Sequence, residues 1–274
     1  MRVNPVIGLV LGGVLLGGAT MAQAATNQCG AIPRLAALKT ALTNATNQSN
    51  GGLNNNMWAT VVDRNGVVCS VVNNLPSPGT DNNGIWLGSR VISAQKANTG
   101  NLFSQPLNAR TGGANIALST ANLYTAVQPG GSLFGLQESN PVDTSVAYAG
   151  NPLDYGTGLS DPLVGQLIGG VNVFGGGLAL YDAAGVRVGG LGVSGDTSCA
   201  DHAVSWRTRH ALVLDYVPGG VSPDNNDAIL YDITSQAGQM PGISKSGFGH
   251  PHCLVAATEN KVAAGLPKTR KIAN

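Results

Sequence analysis

Four histidines, all in the last third of the sequence, are the side chains best suited to bind a metal or to transfer protons. His202, Trp206 and His210 are spaced four residues apart, so in a helix they form one slanting stripe. His250 and His252 flank a proline in the segment GFGHPHC. Neutral imidazole is a common metal ligand and a common acid–base group. His202, His250 and His252 are therefore candidate site residues, and the first two are candidate metal ligands.

Cysteines predict how these segments meet. The chain has four, Cys29, Cys69, Cys199 and Cys253, and an even number in an exported protein suggests two disulfides. Of the three possible pairings we favour Cys29–Cys69 and Cys199–Cys253, because each joins neighbouring segments. The second bond would bring GFGHPHC to the start of the helix that contains His202. A cysteine metal site is the weaker alternative, because no C-x2-C spacing is present.

Glycines interrupt the strand-like run VRVGGLGVSGD just before that helix. Alternation places Gly190 and Gly192 on one face of the strand. Glycine weakens a strand, so either a flat ligand or a neighbouring helix should pack against this bare backbone. Ser194 begins the turn into the helix, where free N–H groups attract anions. Asp196 carries its own negative charge, and it or Ser198 could simply cap the helix.

Charged side chains near these segments are further candidates. Lys96 lies in a predicted helix and could pair with a ligand carboxylate, although a lone lysine is usually solvated. Arg207 and Arg209 could likewise pair with a ligand carboxylate or be solvated surface groups. Asp201 precedes His202 and could cap the helix, orient the imidazole or act with it as an acid–base pair.

The patterns predict an α+β fold, an antiparallel sheet with helices packed against one side. The strongest local signal is a hairpin around the Asn65-Gly66 turn. Helices are predicted at 29–42, 86–104, 114–127 and 199–217, and strands at 57–63, 67–73, 163–174, 178–182 and 186–194. We expect one domain over 25–217, followed by an irregular C-terminal extension, 218–274, packed on it. The long loop at 130–163 is of the kind that lines a site.

The first 24 residues predict a secretory signal peptide. Arg2 precedes an apolar run that ends in Ala22-Gln23-Ala24, so cleavage after Ala24 and a periplasmic or secreted location are expected. We expect no stable membrane insertion after processing, although an uncleaved anchor is the weaker alternative. Because Arg2 is the only charge removed, the mature chain has no formal net charge. A surface without clustered cations argues against nucleic-acid partners.

Three segments resemble the GlcG/HbpS-like family of haem-binding proteins. They are the hairpin MWATVVDRNGVVC, the helix SAQKANTGNLFS and the glycine-rich region from Gly169 to Asp201. The resemblance implies a compact α/β sandwich, often assembled as a homo-oligomer, and haem as the cofactor. It implies a porphyrin against Gly190 and Gly192, with His202 and His250 or His252 supplying the axial ligand. It also implies that Lys96 pairs with a propionate.

Three functions remain open at this point. The first is an exported, non-covalent haem-binding protein in haem or iron handling or sensing. The second is an enzyme acting on a small molecule in the same pocket, through haem-dependent oxidation or through acid–base chemistry of histidine and Asp201. The third is a ligand-free oligomeric structural protein whose glycines pack subunits. The sequence has no G-x-S-x-G elbow, no Walker loop and no C-x-x-C-H haem attachment motif.

Overall fold

The structure is a computed structural model that describes residues 28–77, 84–105, 115–236 and 239–272. The predicted signal peptide lies outside these residues. The helices are α1 (Leu38–Thr46), α2 (Ser89–Phe103), α3 (Thr144–Ala147), α4 (Ser198–Ala211) and α5 (Ala256–Ala264). The strands are β1 (Trp58–Asp63), β2 (Val68–Asn73), β3 (Thr157–Gly158), β4 (Gly177–Tyr181), β5 (Arg187–Ser194), β6 (Ile233–Gln236) and β7 (Gln239–Ser244).

Five strands form an antiparallel sheet in the order β3-β2-β1-β5-β4, which confirms the predicted α+β class. The β1–β2 hairpin turns at Asn65-Gly66, where Gly66 has a φ of +89° that favours glycine. The same sheet contains the second predicted hairpin, β4–β5. Strands β6 and β7 form a separate two-stranded sheet.

Helices cover both faces of this sheet, not one face as expected. Helix α2 packs against β5, β1 and β4, while α1 and α4 pack together on the opposite face. Every residue of β1 and β2 is buried, so these strands lack the alternation of a half-exposed strand. The continuous apolar run VVCSVV is therefore the signature of a strand buried on both sides.

The bare face of β5 lies directly against α2. A Cβ built on Gly192 would clash with the carbonyl oxygen of Ser93, and one built on Gly190 would clash with that of Ala97. The hydroxyl of Thr60, on the neighbouring strand, bonds Ser93 at 2.7 Å. The prediction of a planar ligand against Gly190 and Gly192 is thus wrong for this structure. The helix alternative is correct, because the backbone of α2 fills the space that the missing side chains leave.

Three predicted elements have a different form. The segment expected to be a helix at 29–42 contains two short 3-10 helices, Cys29–Ala31 and Leu35–Ala37, before α1 begins at Leu38. The segment expected to be a helix at 114–127 contains two short 3-10 helices, Thr120–Leu123 and Thr125–Val127, within its described part. The segment expected to be a strand at 163–174 contains turns and irregular backbone. Its glycines Gly169 and Gly170 have φ values of +65° and +82°, which are incompatible with an extended strand.

The C-terminal extension is more regular than predicted, since it contains the β6–β7 hairpin and α5. The indole Nε1 of Trp206 on α4 donates to the carbonyl oxygen of Pro267 at 2.7 Å, which fastens the end of the chain to the sheet domain. Within the described residues, no helix has the length and apolarity needed to cross a membrane.

Both favoured disulfides are present. Cys29 and Cys69 are joined with a Cα–Cα distance of 5.4 Å, and Cys199 and Cys253 with one of 6.0 Å. The first links the segment before α1 to β2. The second links the start of α4 to the C-terminal extension. This link was the condition for the predicted proximity of the segment GFGHPHC to the helix that contains His202.

Candidate functional site

The start of α4 is defined by Thr197, not by Asp196 or Ser198. The hydroxyl of Thr197 accepts from the backbone N–H of Ala200, as an N-cap residue does. The carboxylate of Asp196 instead accepts from the backbone N–H of Leu53 at 2.8 Å. This carboxylate holds the loop before β1, and its charge makes the turn unsuited to an anionic ligand.

Three histidines gather around this helix start. The Cys199–Cys253 disulfide brings His250 to Ser198, whose Oγ lies 2.7 Å from the His250 Nε2. His202 lies one turn further along α4, and His252 directly precedes Cys253. The tertiary structure thus brings the three predicted residues to one region, but in three different environments.

His202 is completely buried and already hydrogen-bonded. Its Nε2 accepts from the backbone N–H of Ile229 at 3.2 Å, and its ring lies 5.8 Å from that of Trp206. Burial, together with the nearby Arg209, His250 and Lys96, lowers the pKa of His202 to about 3. The ring is therefore neutral at pH 7, with its proton on Nδ1.

The space around His202 is too small for a cofactor. The cavity that it lines has a volume of about 10 Å³, room for at most one water molecule. The expected axial ligation of iron by His202 is therefore not supported, because burial and the bond from Ile229 leave no approach for a porphyrin.

His250 is also unsuited to bind iron. It is 2% exposed, its Nδ1 lies 2.7 Å from the carbonyl oxygen of Pro251, and its Nε2 faces the hydroxyl of Ser198. Burial is the main cause that lowers its pKa, to about 4. Both ring nitrogens are engaged, so the predicted ligand role of His250 is not supported either.

His252 is the candidate whose donor chemistry fits haem iron. About 30% of its side chain is exposed, and its Nδ1 lies 2.8 Å from the Oε2 of the buried Glu259. The ring stacks on Tyr231 with a centroid distance of 4.1 Å. A carboxylate on one ring nitrogen fixes the ring and directs the other nitrogen to a metal. His252 Nε2 has no hydrogen bond within the described part of the chain.

Glu259 is a positioning residue that sequence reasoning missed. Its carboxylate also accepts from the backbone N–H groups of Cys253 and Leu254, so the loop around His252 is held rigidly. The only sequence signal is its place seven residues after His252, inside a segment predicted to be irregular.

Lys96 and Ser194 serve the fold. The ammonium of Lys96 forms a buried ion pair with Asp201 at 2.7 Å and also donates to the carbonyl oxygen of Val193 at 3.3 Å. Burial raises the pKa of Asp201 to about 6, although Lys96 opposes this shift. Ser194 is buried at the end of β5, where it pairs with Trp58. Neither the expected propionate contact of Lys96 nor an anion site at Ser194 is supported.

The arginines of α4 also have partners within the chain. Arg209 is fully buried in an ion pair with Asp227, with an N–O distance of 2.6 Å, and Arg207 bonds the side chain of Asn50. His210 differs, because 32% of its side chain is exposed while its Nδ1 lies 2.7 Å from the carboxylate of Asp215. It provides a second carboxylate-anchored imidazole, distinct from the three candidates.

An antiparallel sheet between helix layers, with imidazoles on a disulfide-linked extension, defines an α+β protein with a candidate ligand site at its surface. The chain belongs to the HbpS-like family: the family model described as "haem degrading protein HbpS-like" matches residues 34–208. The matched region includes His202 and Lys96, whereas His250 and His252 lie beyond it. No protein with a curated description matches the chain.

Solved structures similar to the chain include the three that follow. A PduOC–haem complex is 22% identical, with a TM-score of 0.42, and the match covers 65% of this chain and 90% of that one. Protein ORFY from Klebsiella pneumoniae is 21% identical, with a TM-score of 0.39 and coverages of 65% and 88%. A double mutant of HbpS from Streptomyces reticuli is 16% identical, with a TM-score of 0.39 and coverages of 76% and 99%.

Proposed function

We propose that the chain is an exported protein that binds haem non-covalently, in haem or iron handling, with His252 as the axial ligand. The observation that carries this proposal is the bond between His252 Nδ1 and the buried Glu259, which leaves Nε2 free to bind iron. The family description, haem degrading protein HbpS-like, supports haem as the ligand class.

Apolar surface beside His252 supports the same ligand. Leu254 and Val255 follow it at once, and they are 51% and 58% exposed. Two adjacent exposed apolar side chains next to an oriented imidazole suit the face of a porphyrin, whose binding removes apolar area from water. The porphyrin would then lie on the C-terminal extension and not against the sheet.

Export is part of the proposal. The signal-like first 24 residues and the two disulfides support it, because disulfides persist in oxidising compartments. Homo-oligomerisation stays a prediction, which light scattering of the mature chain with and without haemin would test. The acid–base alternative has less support, because Asp201 is buried in its ion pair with Lys96.

Haemin titration of the mature, oxidised protein tests the proposal. We expect a Soret band shift on binding, and His252→Ala should raise the Kd at least about tenfold, which is 1.4 kcal/mol of binding energy. His210→Ala is the matched control, because His210 has similar exposure and its own carboxylate partner. The absence of a Soret shift in the wild type, or equal weakening in both variants, would refute the proposal.

A further inference from the structure

A serine and an imidazole meet at the start of α4 in a defined protonation state. Ser198 Oγ lies 2.7 Å from His250 Nε2, and His250 Nδ1 lies 2.7 Å from the carbonyl oxygen of Pro251. A carbonyl oxygen can only accept, so the Nδ1 of the neutral ring carries the proton. The Nε2 lone pair therefore accepts the hydroxyl proton of Ser198. This is the arrangement of a nucleophile with its general base.

The surroundings keep this base neutral. His250 is buried, and burial is the largest cause that lowers its pKa to about 4. Of the charged groups that face it, Lys96 and His252 lower the pKa further, whereas Glu259 raises it, as does the bond to Pro251. At pH 7 the ring is thus neutral, and its Nε2 remains an acceptor.

Two backbone N–H groups are relevant to the serine, that of Gly175 and that of Cys199. Gly175 N–H donates to Ser198 Oγ at 2.6 Å, which fixes its position. Among the described residues, Cys199 N–H, on the residue after the serine, donates to the Sγ of Cys253 at 3.1 Å, a weak acceptor. An oxyanion beside Ser198 would accept this N–H far more strongly, and the positive end of α4 adds to the effect.

We propose that Ser198 and His250 form a hydrolytic dyad that cleaves small uncharged carboxylic esters through an acyl-serine intermediate. Ser198 is partly exposed, as a residue that meets a substrate must be. The Tyr124 ring borders the dyad, 5.0 Å from that of His250, and Phe174, which precedes Gly175 in the chain, is 46% exposed. These rings suit an aryl or short alkyl ester.

The reaction balances with water as the only co-reactant. The Ser198 proton moves to His250 Nε2 as Oγ bonds to the carbonyl carbon, and the oxyanion that forms faces Cys199 N–H. When the carbon–oxygen bond to the leaving group breaks, Nε2–H protonates the departing alkoxide. Water then attacks the acyl-serine and loses its proton to Nε2, and that proton returns to Oγ as the carboxylic acid leaves.

Covalent labelling of the haem-free, oxidised protein tests the dyad. A fluorophosphonate probe and p-nitrophenyl acetate should each add one group to the intact mass, on the peptide that contains Ser198. Ser198→Ala should remove the adduct, and His250→Gln should slow labelling about 10²- to 10⁴-fold, the usual contribution of a general base. Ser145→Ala is the matched control, since Ser145 is an exposed serine bound to Asp143 rather than to an imidazole.

Dependence on the fold keeps the proposal falsifiable even if His250→Gln does not fold. In the wild type, labelling of Ser198 should disappear on urea unfolding, because the contact between Ser198 and His250 is made only in the folded chain. No adduct on Ser198 in folded protein would overturn the dyad. A labelling rate that rises in proportion to hydroxide, or equal labelling in a folded His250→Gln variant, would overturn it too. Haem binding through His252 plays no part in this test.

Discussion

Burial divides the four histidines into two kinds. His202 and His250 are excluded from water, which lowers the pKa of each well below the usual value near 6.5. His252 and His210 each keep nearly a third of the side chain exposed, with Nδ1 on a buried carboxylate. The first pair makes its hydrogen bonds inside the protein, and the second pair keeps part of each ring open to solvent.

The buried pair predicts loss of stability in mild acid. Below pH 6.5 the unfolded chain protonates at His202, whereas the folded chain with its pKa of about 3 does not. The unfolded state thus binds more protons, so the free energy of unfolding falls as the pH falls from 6.5 towards 3. Between pH 7 and pH 5, this histidine should contribute a loss of about 2 kcal/mol.

Denaturant unfolding of the wild type and of His202→Gln at pH 7 and pH 5 measures this effect. Glutamine retains an acceptor for Ile229 N–H and does not titrate, so the variant should lose about 2 kcal/mol less on acidification. His250 contributes in the same direction, and Asp201, with its pKa raised to about 6, opposes it, but both are present in both proteins. Equal losses would show that His202 is not held neutral by burial.

At the scale of elements, close contact between α2 and β5 organises the sheet domain. The glycines of β5 let the α2 backbone approach, and the Thr60–Ser93 bond and the Lys96–Asp201 ion pair connect α2 to β1 and to α4. Glycine by itself destabilises a strand, and the packing of α2 against β5 offsets that cost. The interface has no space for a porphyrin.

Gly192→Ala should therefore destabilise the protein by about 3 kcal/mol, at the upper end of the usual cost of overpacking. The added methyl group would meet the backbone of α2 at Ser93, which cannot move as a flexible side chain can. Gly88→Ala is the control, because Gly88 has helical dihedrals and no atom within 4 Å of a built Cβ. Thermal and urea unfolding of both variants measures the difference. Gly192→Ala as stable as Gly88→Ala would contradict the packing argument.

At the scale of the molecule, the C-terminal extension is the part that carries His250 and His252. The Cys199–Cys253 disulfide fixes it to α4, and the bond between Trp206 and Pro267 fixes its end. The Cys29–Cys69 disulfide lies elsewhere, between the N-terminal segment and β2. The two bonds close segments of 54 and 40 residues, so the chain-entropy model assigns each about 4 kcal/mol.

This similarity makes the two disulfides matched controls for each other. Replacing Cys199 and Cys253 together by alanine should cost about 4 kcal/mol and should also weaken haemin binding, because the loop before α5 loses its attachment. Replacing Cys29 and Cys69 together should cost a similar amount and leave haemin affinity unchanged. Urea unfolding gives the stabilities, and haemin titration of the folded variants gives the affinities. An unchanged Kd for haemin in the variant that lacks Cys199 and Cys253 would show that this disulfide does not support the haem site.

Much of the fold was predictable because its signals are local. The Asn65-Gly66 hairpin, the β4–β5 hairpin and the helices α2 and α4 follow from turn chemistry and from apolar periodicity over a few residues. The disulfide pairing was predictable because each bond joins cysteines in neighbouring segments of the sequence. Where the sequence was ambiguous, as at 163–174, positive φ values at Gly169 and Gly170 replaced the expected strand by turns.

The sequence by itself determined that β5 has a bare face, and it predicted, through the favoured disulfide pairing, that histidines meet near the start of α4. Only the tertiary structure decided that α2 covers the face, and that His202 and His250 are buried while His252 is not. Access and protonation depend on long-range packing: Ser198 and His250 are 52 residues apart, and Glu259 lies in a helix that local patterns did not predict. A short-range pattern specifies which chemical groups are present. Segments distant in the chain determine the solvent exposure and the hydrogen-bond partners of those groups.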